Sequence, residues 1–433
     1  MKVRFAGLAA GLVIVALLVG ACGSAASPSA APSAAAPSGD VEVFSWWTGG
    51  GEAAGLEAMI KVFGAEYPDV KFINAAVAGG AGTNARAVLA TRLAANEPPD
   101  SFQGHAGQEL IGTYVEAGQI EPLNALFDEI GLKDKLPALL IPLISKGDDI
   151  YSVPVNIHRA NVLWYNPKVL SDNGMTPPAS WDEFFAAADK LKAAGVIPLA
   201  MGEQWTAMHL FETVLLGSLG AEKYSALWAA GADWSSADVT AAIETFKKVL
   251  EYTNDDATSL SWQDASKLVA DGKAAMNIMG DWADGYFSGT VEGGNLALKP
   301  GTDYGWAPPP GTDGVFLFLS DSFTLPKNAP HPENAKAWLT IAGSKEGQEA
   351  FNPVKGSICA RTDCDPNLFN EYLKTAITDW SQDKISGSLT HGVVAADPFK
   401  AKINDAIGLF LADKNAEAFQ KALVDGYAAE GPK

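Results

Sequence analysis

The stretch "DIYSVPVNIHRANVLWYNPKVL", Asp149 to Leu170, decides how this chain of 433 residues folds. It reads as one long extended segment, and Pro154 interrupts it as a segment crossing between two bodies would be interrupted. A second extended apolar stretch, "DGVFLFLSDSFTLPK", begins at Asp313. Around these two, strand and helix patterns alternate, which argues for α/β lobes rather than a bundle or sandwich. "VKFINAAVAGG" is a strand entering a glycine loop. "NARAVLATRLAANEPPD" is a helix carrying Val88, Leu89 and Leu93, stopped by Pro98 and Pro99. "SFQGHAG" is a short strand and turn. "SWDEFFAAADKLKAAG" opens on a capping box, Ser180 and Glu183, and closes on Gly195. "DASKLVADGKAAMNIMGDW" runs from helix through Gly272 into a strand ending at Asp281 and Trp282. "HPENAKAWLTIAGSKEGQEAF" is helical, with Ala335, Trp338 and Leu339 facing inward. No internal repeat and no second linker is present, so the lobes must be joined by strands that cross directly between them.

The folded part opens on "FSWWTGGGE", Phe44 to Glu52. "VEVFSWW" is a buried strand by its β-formers, and the glycines turn it into a helix with Leu56, Met59, Ile60 and Phe63 on one face. Strand ends on the carboxyl edge of an α/β sheet are where such folds bind ligands. Core packing explains two adjacent tryptophans equally well on this stretch alone.

Ahead of that strand lies a targeting segment. Lys2 and Arg4 precede the short apolar run "LAAGLVIVALLVGAC". "LVGAC" resembles the lipobox of bacterial lipoproteins, in which the new amino-terminal cysteine receives lipid, so Cys22 is read as an anchor. "GSAASPSAAPSAAAPSGD" has no apolar bulk and serves as a flexible tether. Of three cysteines, Cys359 and Cys364 remain; outside the cytoplasm two thiols this close are expected to be oxidised to a disulfide. Lys plus Arg is 31 against 51 acids, a net charge of −20 that repels nucleic acid and anionic lipid heads. The 12 tryptophans point to a pocket built of flat apolar faces.

Catalytic and metal motifs are missing. "GGAG", Gly79 to Gly82, lacks the Gly-Lys-Ser/Thr of a phosphate loop. His105, His158, His209, His331 and His391 show no metal spacing, and no cofactor motif appears. What stands out is a set of tryptophans beside polar residues. Trp46, Trp47 and Glu52 end one strand; Gln103 and His105 end another; Trp205 follows "MGEQ", Trp282 follows "MGD", and Asp321 sits inside "FLSDSF". Sugars need that mixture, because their C–H faces pack on aromatic rings and their hydroxyls demand partners once they lose water.

The order "YSVPVNIHRANVLWYN", "SWDEFFAAADKL", "GKAAMNIMGDWA", "FTLPKNAPHPENAKAWL", "GSKEGQEAFNPVKGSI" resembles the extracellular solute-binding proteins of ABC sugar importers, from about Val41 onward. "FSWWTGG", "GGAGTNARAVL", "PPDSFQGHAG" and "GSLTHGVVA" resemble the members that bind glucose and related monosaccharides. The resemblance implies a two-lobed periplasmic-binding-protein-like α/β fold (type II) with three interlobe crossing segments, and no catalysis. It implies a signal peptide over 1–21, a tether over 22–39, one lobe from 40–153 and 318–354, and the other from 154–317 and 355–433. It brings Trp46, Trp47, Glu52, Gln103 and His105 to one wall of the cleft, with Trp205, Trp262, Trp282, Asp321, Lys355 and His391 from other segments. Trp282 is the stacking candidate, Asp321, Glu52 and Gln103 accept from sugar hydroxyls, and Lys355 and the histidines donate. The implied partners are a glucose-like monosaccharide, permease subunits and, through Cys22, the outer face of the cell membrane; the chain acts as a monomer. A glycosidase, an oligosaccharide receptor and a chemosensory adaptor are the competing readings. Mass spectrometry of the mature chain should find it beginning at lipid-modified Cys22; an unmodified terminus elsewhere removes the anchor.

Overall fold

The crossing stretch feeds four sheets in succession, the first a two-stranded one through Asp149–Ile150. In a computed structural model that describes residues 36–432, Ser152–Pro154 is the edge strand of a five-stranded sheet. Asn156–Arg159 then joins a four-stranded sheet with Ile358–Cys359, Val315–Leu319 and Lys384–Gly387. Val162–Tyr165 joins a third sheet, between Gly305–Ala307 and Ala274–Met279. Pro154, which has no N–H to donate, falls where the segment leaves an edge, and there it costs no ladder bond. The return is made by the second stretch, with Val315–Leu319 in the middle sheet and Asp321–Thr324 in the five-stranded one. A third passage runs from helix Lys345–Lys355 into Ile358–Cys359. The fold is the expected two-lobed α/β architecture. Cys22 lies outside the described residues.

The five-stranded sheet runs Val70–Asn74, Gly39–Phe44, Ser101–His105, Asp321–Thr324, Ser152–Pro154; its first three strands are parallel. Asp321–Thr324 pairs antiparallel with Ser101–His105, and the register sets Asp321 opposite His105 and Phe323 opposite Gln103. Gly39 already belongs to the first strand, and Asn334 Nδ2 donates to Ser38 O and Asp40 O, so order begins before the tether's expected end at 39. Ala274–Met279 and Val315–Leu319 are buried at every residue, as strands covered on both faces should be.

Helix Gly50–Glu66 buries Leu56, Met59 and Phe63 and packs along helix Lys345–Lys355. Its glycines permit that closeness: a Cβ on Gly51 would stand 2.9 Å from Val354 O, and one on Gly55 3.2 Å from Phe351 O. These two glycines serve contact between segments of backbone. In helix Thr83–Ala94 Leu89 is buried but Val88 is 42% exposed, because only the narrow stripe of Ala85 and Leu89 turns inward. Ser180 Oγ caps Glu183 N as expected, while Glu183 Oε2 reaches back to Ala179 N, one residue earlier than in a capping box. Cys359 and Cys364 are joined. Trp338 is fully buried among Phe63, Phe72 and Phe323. Trp338→Ala should lower stability by about 3–5 kcal/mol in denaturant titrations. Cys359→Ser with Cys364→Ser should cost about 2 kcal/mol or less, since the closed loop is short.

Candidate functional site

Asp321 is held by side chains from two other strands. Gln103 Nε2 donates to its Oδ1 and Asn156 Nδ2 to its Oδ2, each at 2.8 Å, while Asn156 Oδ1 accepts from Asp321 N. His105 Nε2 stands 3.6 Å from one oxygen and His158 Nε2 3.5 Å from the other. Burial alone would raise this carboxyl, but the nearby His158 and the charges of His105 and Lys355 hold it far below the usual carboxylate range. Burial pushes the His158 imidazole down, but Asp281, which accepts from its Nδ1, outweighs that and raises it overall. His158 was not foreseen as a site residue; its signal was its place inside the crossing stretch.

Asp321 opens on a cavity of ≈ 230 Å³. Trp46, Trp47, Glu52, His105, Trp205, Trp262, Trp282, Lys355 and His391 also line it, so ten of the eleven expected residues converge. Gln103 does not reach the cavity. Its amide oxygen accepts from Trp46 N and its NH2 group is committed to Asp321, which puts it one layer behind as a positioning residue instead of a hydroxyl acceptor. Trp205, Trp262 and Trp282 lie in the first turns of helices Gln204–Ala226, Trp262–Ala270 and Trp282–Ser288, where a strand end was expected for Trp282. Strand Ala274–Met279 stops before Gly280, and Asp281 already has helical dihedrals. Trp47 packs on Phe351 and Phe323 and is 1% exposed. Trp205 Nε1 donates to Glu203 Oε1, a lining acid that sequence reasoning missed. Gly79, Gly80 and Gly82 of the glycine loop also line the cavity, and a Cβ on Gly82 would meet the Trp46 ring at 2.8 Å.

Charge in the cavity is balanced locally. Lys355 Nζ lies 3.2 Å from Glu52 Oε1 and 5.8 Å from the centres of both the Trp47 and Trp282 rings. Burial is the main reason the Glu52 carboxyl is raised, and Lys355 opposes it. His105 Nδ1 donates to Glu109 Oε2 at 3.1 Å. Glu109 is fully buried and also takes Lys400 Nζ at 2.7 Å. His391 was expected to donate to ligand. Ser388 Oγ gives its one proton to Glu212, so it accepts from His391 Nδ1–H, and the other ring nitrogen is an acceptor. Burial and the neighbouring His105 and His209 hold His391 well below the ordinary histidine range, which keeps it neutral.

Residues 47–349 match the family model described as bacterial extracellular solute-binding protein. The chain belongs to that family. An uncharacterised ABC transporter extracellular-binding protein of Pyrococcus horikoshii is 36% identical over 382 residues, 87% of this chain and 84% of that one. The xylose/arabinose-binding protein of Haloferax volcanii is 32% identical over 394 residues, 89% of this chain and 83% of that one. The solved bacterial solute receptor AcbH, described as preferring β-D-galactopyranose, superposes with a TM-score of 0.76 at 19% identity, covering 91% of this chain and 98% of that one. This solute-binding protein is therefore a receptor and not an enzyme, and among its described residues no helix is long and apolar enough to cross a membrane. Gln103→Ala orphans Trp46 N and one oxygen of Asp321; it should cost about 1–3 kcal/mol of stability and weaken ligand binding without removing any cavity-lining side chain, read by thermal melts and calorimetry.

Proposed function

We propose that this solute-binding protein captures one monosaccharide, glucose or a close epimer, between two closing lobes and delivers it to an ABC importer permease. The lobes are 40–153 with 318–354 and 154–317 with 355–433, and lipid on Cys22 tethers the receptor to the outer face of the membrane. The observation that carries the reading is the cavity itself. Indoles supply flat apolar faces, while Asp321, Glu52, Lys355 and the histidines supply charged and polar atoms around one small space. Asp321 uses one lone pair per oxygen on protein donors and keeps the others for sugar hydroxyls. The relative named for xylose and arabinose favours a single sugar. Longer ligands are the second reading, since the same fold carries a chitin-oligosaccharide-binding protein.

Calorimetry with glucose, its epimers and maltotriose separates the two: glucose or an epimer should bind and maltotriose should not, and tight maltotriose binding with no monosaccharide binding overturns the proposal. Trp282→Ala should weaken monosaccharide binding by roughly 2–4 kcal/mol through lost stacking. Asp321→Ala should cost as much or more, by leaving desolvated hydroxyls unpaired. A Trp282→Ala chain that melts early yet binds normally would show that the stack is built by another ring.

A further inference from the structure

Three groups that the sequence scatters meet just beneath the cavity floor. His209 and Glu212 sit three residues apart on helix Gln204–Ala226, and His391 comes from the loop after strand Lys384–Gly387. Each offers one ligand atom, and all three atoms lie within 4.8 Å of one another. The expectation that the histidines form no metal grouping followed from sequence spacing, and the fold overrides it by bringing residue 391 back to residue 209. His209 Nε2–H donates to Ala160 O at 2.9 Å, so its Nδ1 carries a lone pair; that atom is fully buried and has no hydrogen-bond partner. It faces Glu212 Oε1 at 3.5 Å. Two acceptors facing each other in a buried site call for a cation between them.

We infer that His209, Glu212 and His391 form a binding site for a divalent transition-metal ion of the zinc class. Two imidazoles and one carboxylate are a donor set that such ions take, leaving one position open. The 3.5 Å separation of His209 Nδ1 and Glu212 Oε1 is near the ligand–ligand edge of about 3.4 Å expected for a tetrahedral ion with bonds of 2.0–2.1 Å. Ligands on one ion are at most about 4.2 Å apart, so closure draws the widest pair of the three inward. The outer contacts that orient metal ligands are already in place. Ala160 O holds His209; the backbone N–H groups of Leu389 and Thr390 hold Glu212 Oε2 at 2.6 and 3.0 Å; Ser388 Oγ holds His391 Nδ1 at 2.9 Å. His391 lines the cavity, which gives the ion a way in. Once bound, the ion ties helix Gln204–Ala226 to the loop carrying His391, whose ring lies 5.1 Å from that of Trp282.

The test is titration of the chelator-stripped, full mature chain with ZnCl2, followed by calorimetry, and with CoCl2, followed by visible absorption. One Zn2+ per chain is expected at micromolar or tighter dissociation constant, and Co2+ should show the intense bands of a low-coordinate nitrogen and oxygen site. Glu212→Gln and His391→Ala should each weaken Zn2+ at least about 100-fold, while His331→Ala, at a distant histidine, should leave it unchanged. Absence of stoichiometric Zn2+ binding by the unaltered chain overturns the site and leaves a shared proton between His209 and Glu212; this result needs no variant to fold. Equal Zn2+ affinity in folded Glu212→Gln and the unaltered chain also overturns it.

Discussion

A carboxylate taken out of water has to be compensated or it will take up a proton. Asp321 is 3% exposed, and the molecule compensates it from several directions with Gln103, Asn156, His105 and His158. Those four come from two different strands, Ser101–His105 and Asn156–Arg159. Asp321 itself begins the strand that leaves the middle sheet for the five-stranded one. The electrostatic requirement and the crossing topology therefore meet at one residue. Removing one partner of such a buried group is far more damaging than the net worth of the contact, because a charge is left without compensation.

The same logic repeats around the cavity. Glu109 is buried against His105 and Lys400, and Glu52 against Lys355. Helix Asp397–Asp413 carries Lys400, and helix Lys345–Lys355 ends on Lys355, so distant segments each bring a cation to a buried acid. Fixed polar groups of this kind cost little reorganisation when a polar ligand arrives, and the indoles between them supply apolar area without adding charge.

The crossing segments were legible because an extended run such as Asp149 to Tyr165 is too long for one sheet, and Pro154 marks the break. The rest of that stretch, expected to be extended, is instead helical over Pro167–Asp172, where the Asn166 side chain caps Val169 N. Ten of the eleven expected lining residues could be found because tryptophans next to polar residues are conspicuous, and resemblance supplied Trp262, Lys355 and His391. What stayed hidden was set by pairing across the fold. Gln103 shares a strand with His105, yet the register beside Asp321 turns its amide inward. The start of helix Trp282–Ser288 was obscured because an apolar strand runs into it without a cap side chain: Asp281 makes no capping bond and instead accepts from His158 and Arg159 N. The His209, Glu212 and His391 grouping spans nearly two hundred residues of sequence, and no local pattern announces it.

Diffraction from crystals grown with glucose tests the central claim most directly. The account predicts one pyranose in the cavity, with a C–H face on the Trp282 ring and a hydroxyl within hydrogen-bond distance of Asp321. Density for glucose elsewhere on the surface, or a sugar in the cavity with Asp321 still bonded to protein alone, would contradict it.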